Sequence, residues 1–303
     1  MRVEEKLLLA AYAARGIEPE RLDERQVALR LDEASGGAGP LPGDVVHDRS
    51  VAFGASAHLL EAFEAADVRC VNRSQVVRLC GDKLRTSVAL GRAEVPQPET
   101  RVAFSPAEAL RVLDEDLGYP AVVKPTVGSW GRLVARLNDR HAAEAVLEDR
   151  EVLGNWTHRS VYLQRLVEKP GRDIRVFVVG EEPIAGIYRE SEHWITNTAR
   201  GSSVRACDVN GPLGELAAEA ARAVGGGLLA VDIVEDPERG LLVLEVNHGM
   251  EFRNSIEPTG VDIPGAMVDY VLAQGAEPIP RNTDRATTPA DSARSRAAEE
   301  VPA

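Results

Sequence analysis

Two apolar runs late in the chain, Leu229 to Val234 and Leu241 to Val246, flank the segment Asp236-Pro237-Glu238-Arg239-Gly240. That segment has the chemistry of a tight turn, so the runs read as the two strands of a hairpin. Acids lie inside them: Asp232 in the first strand, Glu245 and then Asn247 in the second. Residues two apart on a strand share a face, so Glu245 and Asn247 point the same way. A turn centred near Glu238 sets Asp232 opposite residue 244, give or take one. Three oxygen-bearing side chains therefore converge on one patch of sheet. Acids in the middle of apolar strands are costly unless something compensates them. Two compensations are open: a hard divalent cation, magnesium above all where phosphates are present, or arginines paired with the acids.

Arginine is plentiful. The chain has 303 residues, 48 of them acidic and 35 basic, for a formal net charge of −13. Only four of the basic residues are lysine: Lys6, Lys83, Lys124 and Lys169. Where arginine serves as the general cation, a retained lysine points to a role arginine does not fill. The net charge argues against bulk electrostatic binding to nucleic acid or anionic membranes, and no apolar run approaches the length of a membrane span. The opening Met1-Arg2-Val3-Glu4-Glu5-Lys6 has acids where a secretory leader carries its basic stretch. Three cysteines, Cys70, Cys80 and Cys207, lack metal-site spacing and fit a reducing cytoplasm.

Strand and helix patterns alternate along the first part: a helix over 4–15, a strand over 44–48, a helix over 55–66 and a strand over 68–72. The alternation implies a layered parallel α/β unit ending near residue 85. A second unit over 86–165 has strands at 121–125 and 132–136 around a glycine turn, and a helix over 141–147. A third, over 166–280, holds strand-like runs at 174–179 and the acid-bearing hairpin, with a helix over 213–224 between them. Residues 281–303 are poor in large apolar groups and read as a disordered tail. The fold class is thus α/β and α+β.

The turn Lys124-Pro125-Thr126-Val127-Gly128-Ser129-Trp130-Gly131-Arg132 offers backbone N–H groups to an anion. It lacks the Gly-Lys-Ser/Thr ending of a P-loop, and taken alone as a glycine turn it reads first as an ordinary hairpin. Gly81-Asp82-Lys83 places another lysine just before a helix. Asn197 to Arg200, small polar residues closing on arginine, suits an anionic substrate or intermediate, and so does a plain loop. Glu251-Phe252-Arg253-Asn254-Ser255 follows the acid-bearing strand and reads either as a substrate loop or as a solvated connection.

In order and spacing these residues resemble the ATP-grasp carboxylate–amine ligases, and among them the RimK-like group. The matching features are Gly-Asp-Lys83, Val-Val-Lys124-Pro, the Gly128–Gly131 turn, Gln164, Asp173-Ile174-Arg175, Asn197–Arg200, Asp232 and Glu245-x-Asn247. Four longer peptides are similar to the LysX-type ligases of lysine biosynthesis: Gly-Ser-Trp-Gly-Arg (128–132), the stretch 168–180, the stretch 193–201, and 245–255. The resemblance covers about residues 2–275. It implies an ATP-grasp fold with an N-terminal pre-grasp domain. It also implies an enzyme that joins the α-amino group of 2-aminoadipate to the C-terminal glutamate side chain of a small acidic carrier protein, LysW. A sister type uses glutamate and serves arginine synthesis.

By that resemblance Lys83 and Lys124 bind the ATP phosphates, and the hairpin of Gly128, Ser129, Trp130, Gly131 and Arg132 covers them. Gln164, Leu166 and Val167 line the adenine site, with Asp173 and Arg175 nearby. Asp232, Glu245 and Asn247 hold Mg2+, two ions, and Arg200 stabilises the acyl phosphate or oxyanion, with Lys124 also catalytic. Arg189, Asn197, Glu251, Phe252, Asn254 and Ser255 hold the amino acid. A cytoplasmic homo-oligomer, dimer or tetramer, is implied as well. Departures from the pattern are Arg165 for glutamate, Gly249 for threonine and Ser202 for glycine, the last two bearing on amino-acid choice. The chain also opens at what resembles the helix after the first pre-grasp strand. The expectation is that Leu7, Leu8 and Tyr12 lack the strand they should cover, so that either the start is mis-assigned and the protein begins upstream of Met1, or the N-terminal domain is unstable and residues 1–30 are loosely held. The rival readings are a ligase adding glutamate to a protein C-terminus and an inactive ATP-binding regulator.

Overall fold

The structure, a computed structural model, describes residues 1–29, 45–128, 131–191, 193, 194, 196 and 203–276. The loop expected over 34–43 and the tail over 281–303 lie outside the described residues. The first part contains α1 (Val3–Ala13), β1 (Val45–His47), α2 (Phe53–Ala65), β2 (Arg69–Val71), α3 (Ser74–Cys80) and α4 (Lys83–Arg92). Strands β1 and β2 pair in parallel, Val46 against Cys70. Leu60, Phe63 and Val77 fill the space between their sheet and the helices α2 and α3.

Next come β3 (Thr100–Ala103), α5 (Pro106–Val112), β4 (Ala121–Lys124), β5 (Ala135–Leu137), α6 (Arg140–Leu153) and β6 (Val161–Arg165). They form a four-stranded antiparallel sheet in the order β3-β6-β4-β5. Alternation along the strands sends Ala121, Val123, Val161 and Leu163 to one face, where they pack on Ala109, Val112, Ala143 and Leu147 of α5 and α6. The opposite face therefore presents Val122, Lys124, Tyr162 and Gln164. Strand β5 starts later than the run 132–136 predicts. Gly131 and Leu133 both take positive φ, +65° and +57°, which widens the turn and delays pairing to Ala135.

The last part holds β7 (Arg172–Gly180), β8 (Glu182–Glu190), β9 (Ser203–Cys207), α7 (Pro212–Val224), β10 (Gly227–Asp236), β11 (Gly240–Asn247), α8 (Ile256–Thr259) and α9 (Ile263–Ala276). Its sheet is antiparallel in the order β11-β10-β7-β8-β9. One face, with Ile174, Val176, Leu229, Val231 and Ile233, packs against Leu216, Ala217 and Ala220 of α7. Helix α7 is bounded as its sequence dictates, by Pro212 in its first turn and a left-handed Gly225 after its last. The other face is divided. Phe177, Ala185, Ile187, Leu228 and Ala230 are covered by α9 and α1. Further along the same face, Asp173, Arg175, Arg189 and Asp232 line a cleft.

Helix α9 changes the reading of the N-terminus. Leu8 and Tyr12 of α1 are buried, packed with Met267, Val268 and Val271. The apolar face expected to lack a strand is thus covered by a helix. Helix α9 has no counterpart in the sequence reading because it is apolar nearly all round, and a helix buried on several sides shows no polar stripe.

Asn72 joins the first part to the last. Its Nδ2 donates to Leu228 O (2.9 Å) and His248 O (3.0 Å), and its Oδ1 accepts from Leu228 N (2.6 Å). Gly227, with φ +116°, leaves the space this amide occupies; a Cβ there would strike Asn72 Oδ1. Among the described residues no helix is long and apolar enough to cross a membrane.

Candidate active site

A cleft of about 770 Å³ runs between the uncovered faces of the two antiparallel sheets. Val122, Val134, Leu166, Val167, Val234 and Leu244 supply apolar walls. Gln164 is fixed among them. It is buried on β6 and donates through Nε2 to Thr100 Oγ1 (3.1 Å), which leaves its Oε1 to accept from Lys124 Nζ (2.6 Å). Burial lowers the Lys124 ammonium to about 8, against the pull of Glu245. An ammonium held in this way is stabilised by the arrival of negative charge.

Lys83 opens α4. Asp82 caps that helix by accepting from Leu84 N and Arg85 N, and Lys83 N donates to Thr126 O (2.8 Å). The helix start is thereby tied to the glycine turn. The Lys83 ammonium donates to Gly128 O (2.7 Å) and lies 3.2 Å from Glu245 Oε1. Gly81, just before it, lies flat on the ring of Phe53, where any Cβ would collide.

Register carries the acids together. Asp232 pairs directly with Glu245 across β10 and β11, with a bulge after Asp232, and with Arg175 across β10 and β7. Asp173 pairs with Arg189 across β7 and β8. The Asp232 carboxylate accepts a fork from Arg175, at 2.7 and 2.8 Å. Arg189 Nη2 is 3.3 Å away, and Asn247 Nδ2 donates at 3.4 Å. Burial works against the charge on Asp232, but Arg175 and Arg189 outweigh it and hold the carboxyl down to about 2. Burial likewise opposes the charge on Arg189, and Asp232 with Asp173 raises its pKa above the usual value. Asp173 is also buried. It accepts from Arg189 Nε (2.6 Å) and from Thr196 Oγ1, which in turn accepts from Lys169 Nζ (2.6 Å).

These contacts test the donor set for magnesium. Glu245 and Asn247 are half-buried oxygen donors on the cleft wall, of the hard type magnesium takes. The amide of Asn247 donates through nitrogen to Asp232, so its Oδ1 remains an acceptor. Asp232 fits less simply. Its lone pairs serve Arg175, Arg189 and Asn247, so metal binding there requires one of those contacts to yield. Of the two compensations read from the sequence, the arginine pairing is the one formed at Asp232.

The cleft brings together Lys83, Lys124, Gly128, Gly131, Arg132, Gln164, Leu166, Val167, Asp173, Arg175, Arg189, Asp232, Glu245, Asn247 and Glu251. Three expected substrate residues stand apart. Phe252 is fully buried in the core beside Met250 and Ile263, and Ser255 is buried under α8 with its carbonyl accepting from Thr259. Asn254 is exposed off the cleft wall. An apolar ring and a helix cap fold inward wherever the core offers room, so following a functional strand did not place them in the cleft. Ser129, Trp130, Asn197 and Arg200 lie outside the described residues. The sequence reading missed Arg2, Asp48, Arg49, His248 and Lys169, all on the cleft wall. Lys169 carries a signal as one of four lysines, and His248 lies in the 245–255 peptide.

A family model of the RimK-like ATP-grasp domain matches residues 80–271. The chain belongs to the RimK-like ATP-grasp family. A LysX pre-ATP-grasp domain model matches residues 1–79, so the ATP-grasp fold carries its N-terminal companion domain. The glutamate–LysW ligase ArgX of Sulfurisphaera tokodaii is 31% identical over 274 residues, 89% of this chain and 95% of that protein. The α-aminoadipate–LysW ligase LysX of Sulfolobus acidocaldarius is 36% identical over 230 residues, 76% of this chain and 83% of that protein. Among solved structures, a RimK domain ATP-grasp protein from Sphaerobacter thermophilus superposes with a TM-score of 0.73 at 32% identity, covering 90% of this chain and 96% of that one. The ATP-grasp fold binds ATP with Mg2+ and is that of carboxylate–amine ligases, and this chain is one such ligase.

Proposed function

We propose that the chain joins the α-amino group of an acidic amino acid, 2-aminoadipate or glutamate, to the C-terminal glutamate side chain of a LysW-type carrier protein in the cytoplasm, at the expense of ATP. The observation carrying this is the cleft that sets Lys83, Lys124 and the glycine turn beside the Asp232–Glu245–Asn247 patch. Relatives named as LysW ligases of both substrate types support the choice of partner. The reading divides the chain near residues 85 and 165, so that ATP lies between the second and third units. A carrier carboxylate oxygen attacks the γ-phosphorus and ADP leaves; the amine then attacks the acyl carbon, and phosphate and a proton leave.

In this scheme the protein positions groups and neutralises charge. Lys83 and Lys124 hold the transferring phosphate, the apolar walls with Gln164, Leu166 and Val167 take the adenine, and the turn 128–132 lies over the phosphates. Asp232, Glu245 and Asn247 would hold magnesium, which supplies positive charge to the phosphate oxygens. Arg175 and Arg189 keep Asp232 ionised, and Arg200 meets the developing oxyanion. The test is a coupled ADP-release assay with purified LysW-type carrier and each amino acid in turn. Release that requires the carrier and an acidic amino acid together, with the carrier's intact mass rising by one residue, is expected. Release that requires a different protein, whose C-terminus gains glutamate, favours the rival glutamate ligase; no release under any condition favours an inactive nucleotide binder.

A further inference from the structure

Arg49 is the first residue beyond the parallel ladder of β1 and β2, where Asp48 N still donates to Val71 O (2.7 Å). In open α/β sheets the crevice outside the carboxyl ends of the strands is where ligands gather. The Arg49 side chain is only 14% exposed, yet it lines the cleft. Its Nη1 donates to Met250 O (3.1 Å), in the segment that follows Asn247.

Its carboxylate partner is oversubscribed. Glu5 is held in a fork by Arg2, through Nε to Oε2 (2.9 Å) and Nη2 to Oε1 (2.7 Å). Arg49 reaches that same Oε1 only at 3.3 and 3.4 Å, beyond the range of a good N–H···O bond. Arg2 Nη2 also donates to Arg49 O (3.1 Å), which fixes the backbone and leaves the guanidinium as the poorly matched member. Two buried or half-buried guanidiniums that line the cleft thus share one carboxylate. A planar fork of this kind is shaped for a carboxylate.

We propose that Arg49 binds the side-chain carboxylate of the acidic amino-acid substrate and so determines specificity from the N-terminal domain. Arg2 keeps Glu5 in place beside it. The inference rests on the preceding reading that the amine donor is an acidic amino acid. The largely covered guanidinium of Arg49, reached from the cleft, suits a small molecule's end rather than the carrier chain. Asp48 and Glu251 also line the cleft, and Glu251 is close enough to Arg2 to act on it electrostatically, so an ammonium finds partners there too.

The test is calorimetric titration of the full chain loaded with magnesium and a non-hydrolysable ATP analogue, without carrier. L-2-aminoadipate and L-glutamate are compared with uncharged L-norleucine. Arg49→Gln should weaken binding of the acidic amino acids about 10- to 100-fold, the size of one charge-assisted contact. Norleucine and nucleotide binding should stay within about twofold. Equal weakening of acidic and uncharged ligands, no weakening, or no binding of either acid to the unmodified chain overturns the proposal. If Arg49→Gln does not fold, Glu5→Gln decides: it should bind the acids no more weakly than the unmodified chain, and a tenfold loss overturns the proposal. Selective binding through Arg49 without carrier-dependent ADP release would fault the carrier reading alone. Carrier-dependent release with an indifferent Arg49→Gln would fault this proposal alone.

Discussion

Glu245→Gln is expected to cut ADP release by about a thousandfold or more while the chain stays folded, because in the proposed scheme this carboxylate would hold the metal at the reacting phosphates and it lies outside the core. Glu245 faces Asp232 across the hairpin and lies 3.2 Å from Lys83. A metal ion held by such a carboxylate is worth several kcal/mol of charge stabilisation at a phosphoryl group. Glutamine keeps the shape and removes the charge. The carboxylate is half-buried at the cleft wall and no core cluster depends on it, so the urea midpoint should move little. Rates measured over a magnesium titration check this. Activity within about tenfold of the unmodified chain at ordinary magnesium would remove Glu245 from the metal site.

Arg175→Met is expected to have the largest effect on stability, about 3–5 kcal/mol, because it strips the fork from a buried carboxylate. Arg189 and Asn247 remain within reach of Asp232, which places the loss toward the lower end. The loss should depend on pH in a definite sense. Asp232 is held at about 2 in the folded chain, below the ordinary carboxylate value of about 3.9 in the unfolded one. Its contribution is therefore fully present above the unfolded value and disappears as pH falls toward the folded one. The deficit of Arg175→Met should be widest near neutrality and narrow in acid. Urea unfolding across that range measures it, and a deficit under about 1 kcal/mol at every pH would contradict the pairing.

Much of this site is legible in the sequence. The hairpin was readable from its turn, and the expected partner of Asp232 fell within one residue of Glu245 because the bulge after Asp232 shifts the ladder by that much. Lys83 and Lys124 stood out because lysine is scarce here. What stayed hidden was set by long-range packing. Arg175 meets Asp232 only through the pairing of β7 with β10, 57 residues apart. Arg49 meets Met250 across 201 residues. No local pattern marks either contact. Phe252 and Ser255 mislead in the opposite direction, since an attractive position in sequence says nothing about which way a side chain turns.

On the proposed mechanism, one cleft makes an acyl phosphate from the carrier and then an amide. The most direct measurement follows oxygen. With 18O in the side-chain carboxylate of the carrier's C-terminal glutamate, turnover in the presence of the acidic amino acid should deliver one labelled oxygen to each inorganic phosphate released. Phosphate free of label, at the same rate of ADP release, would contradict it.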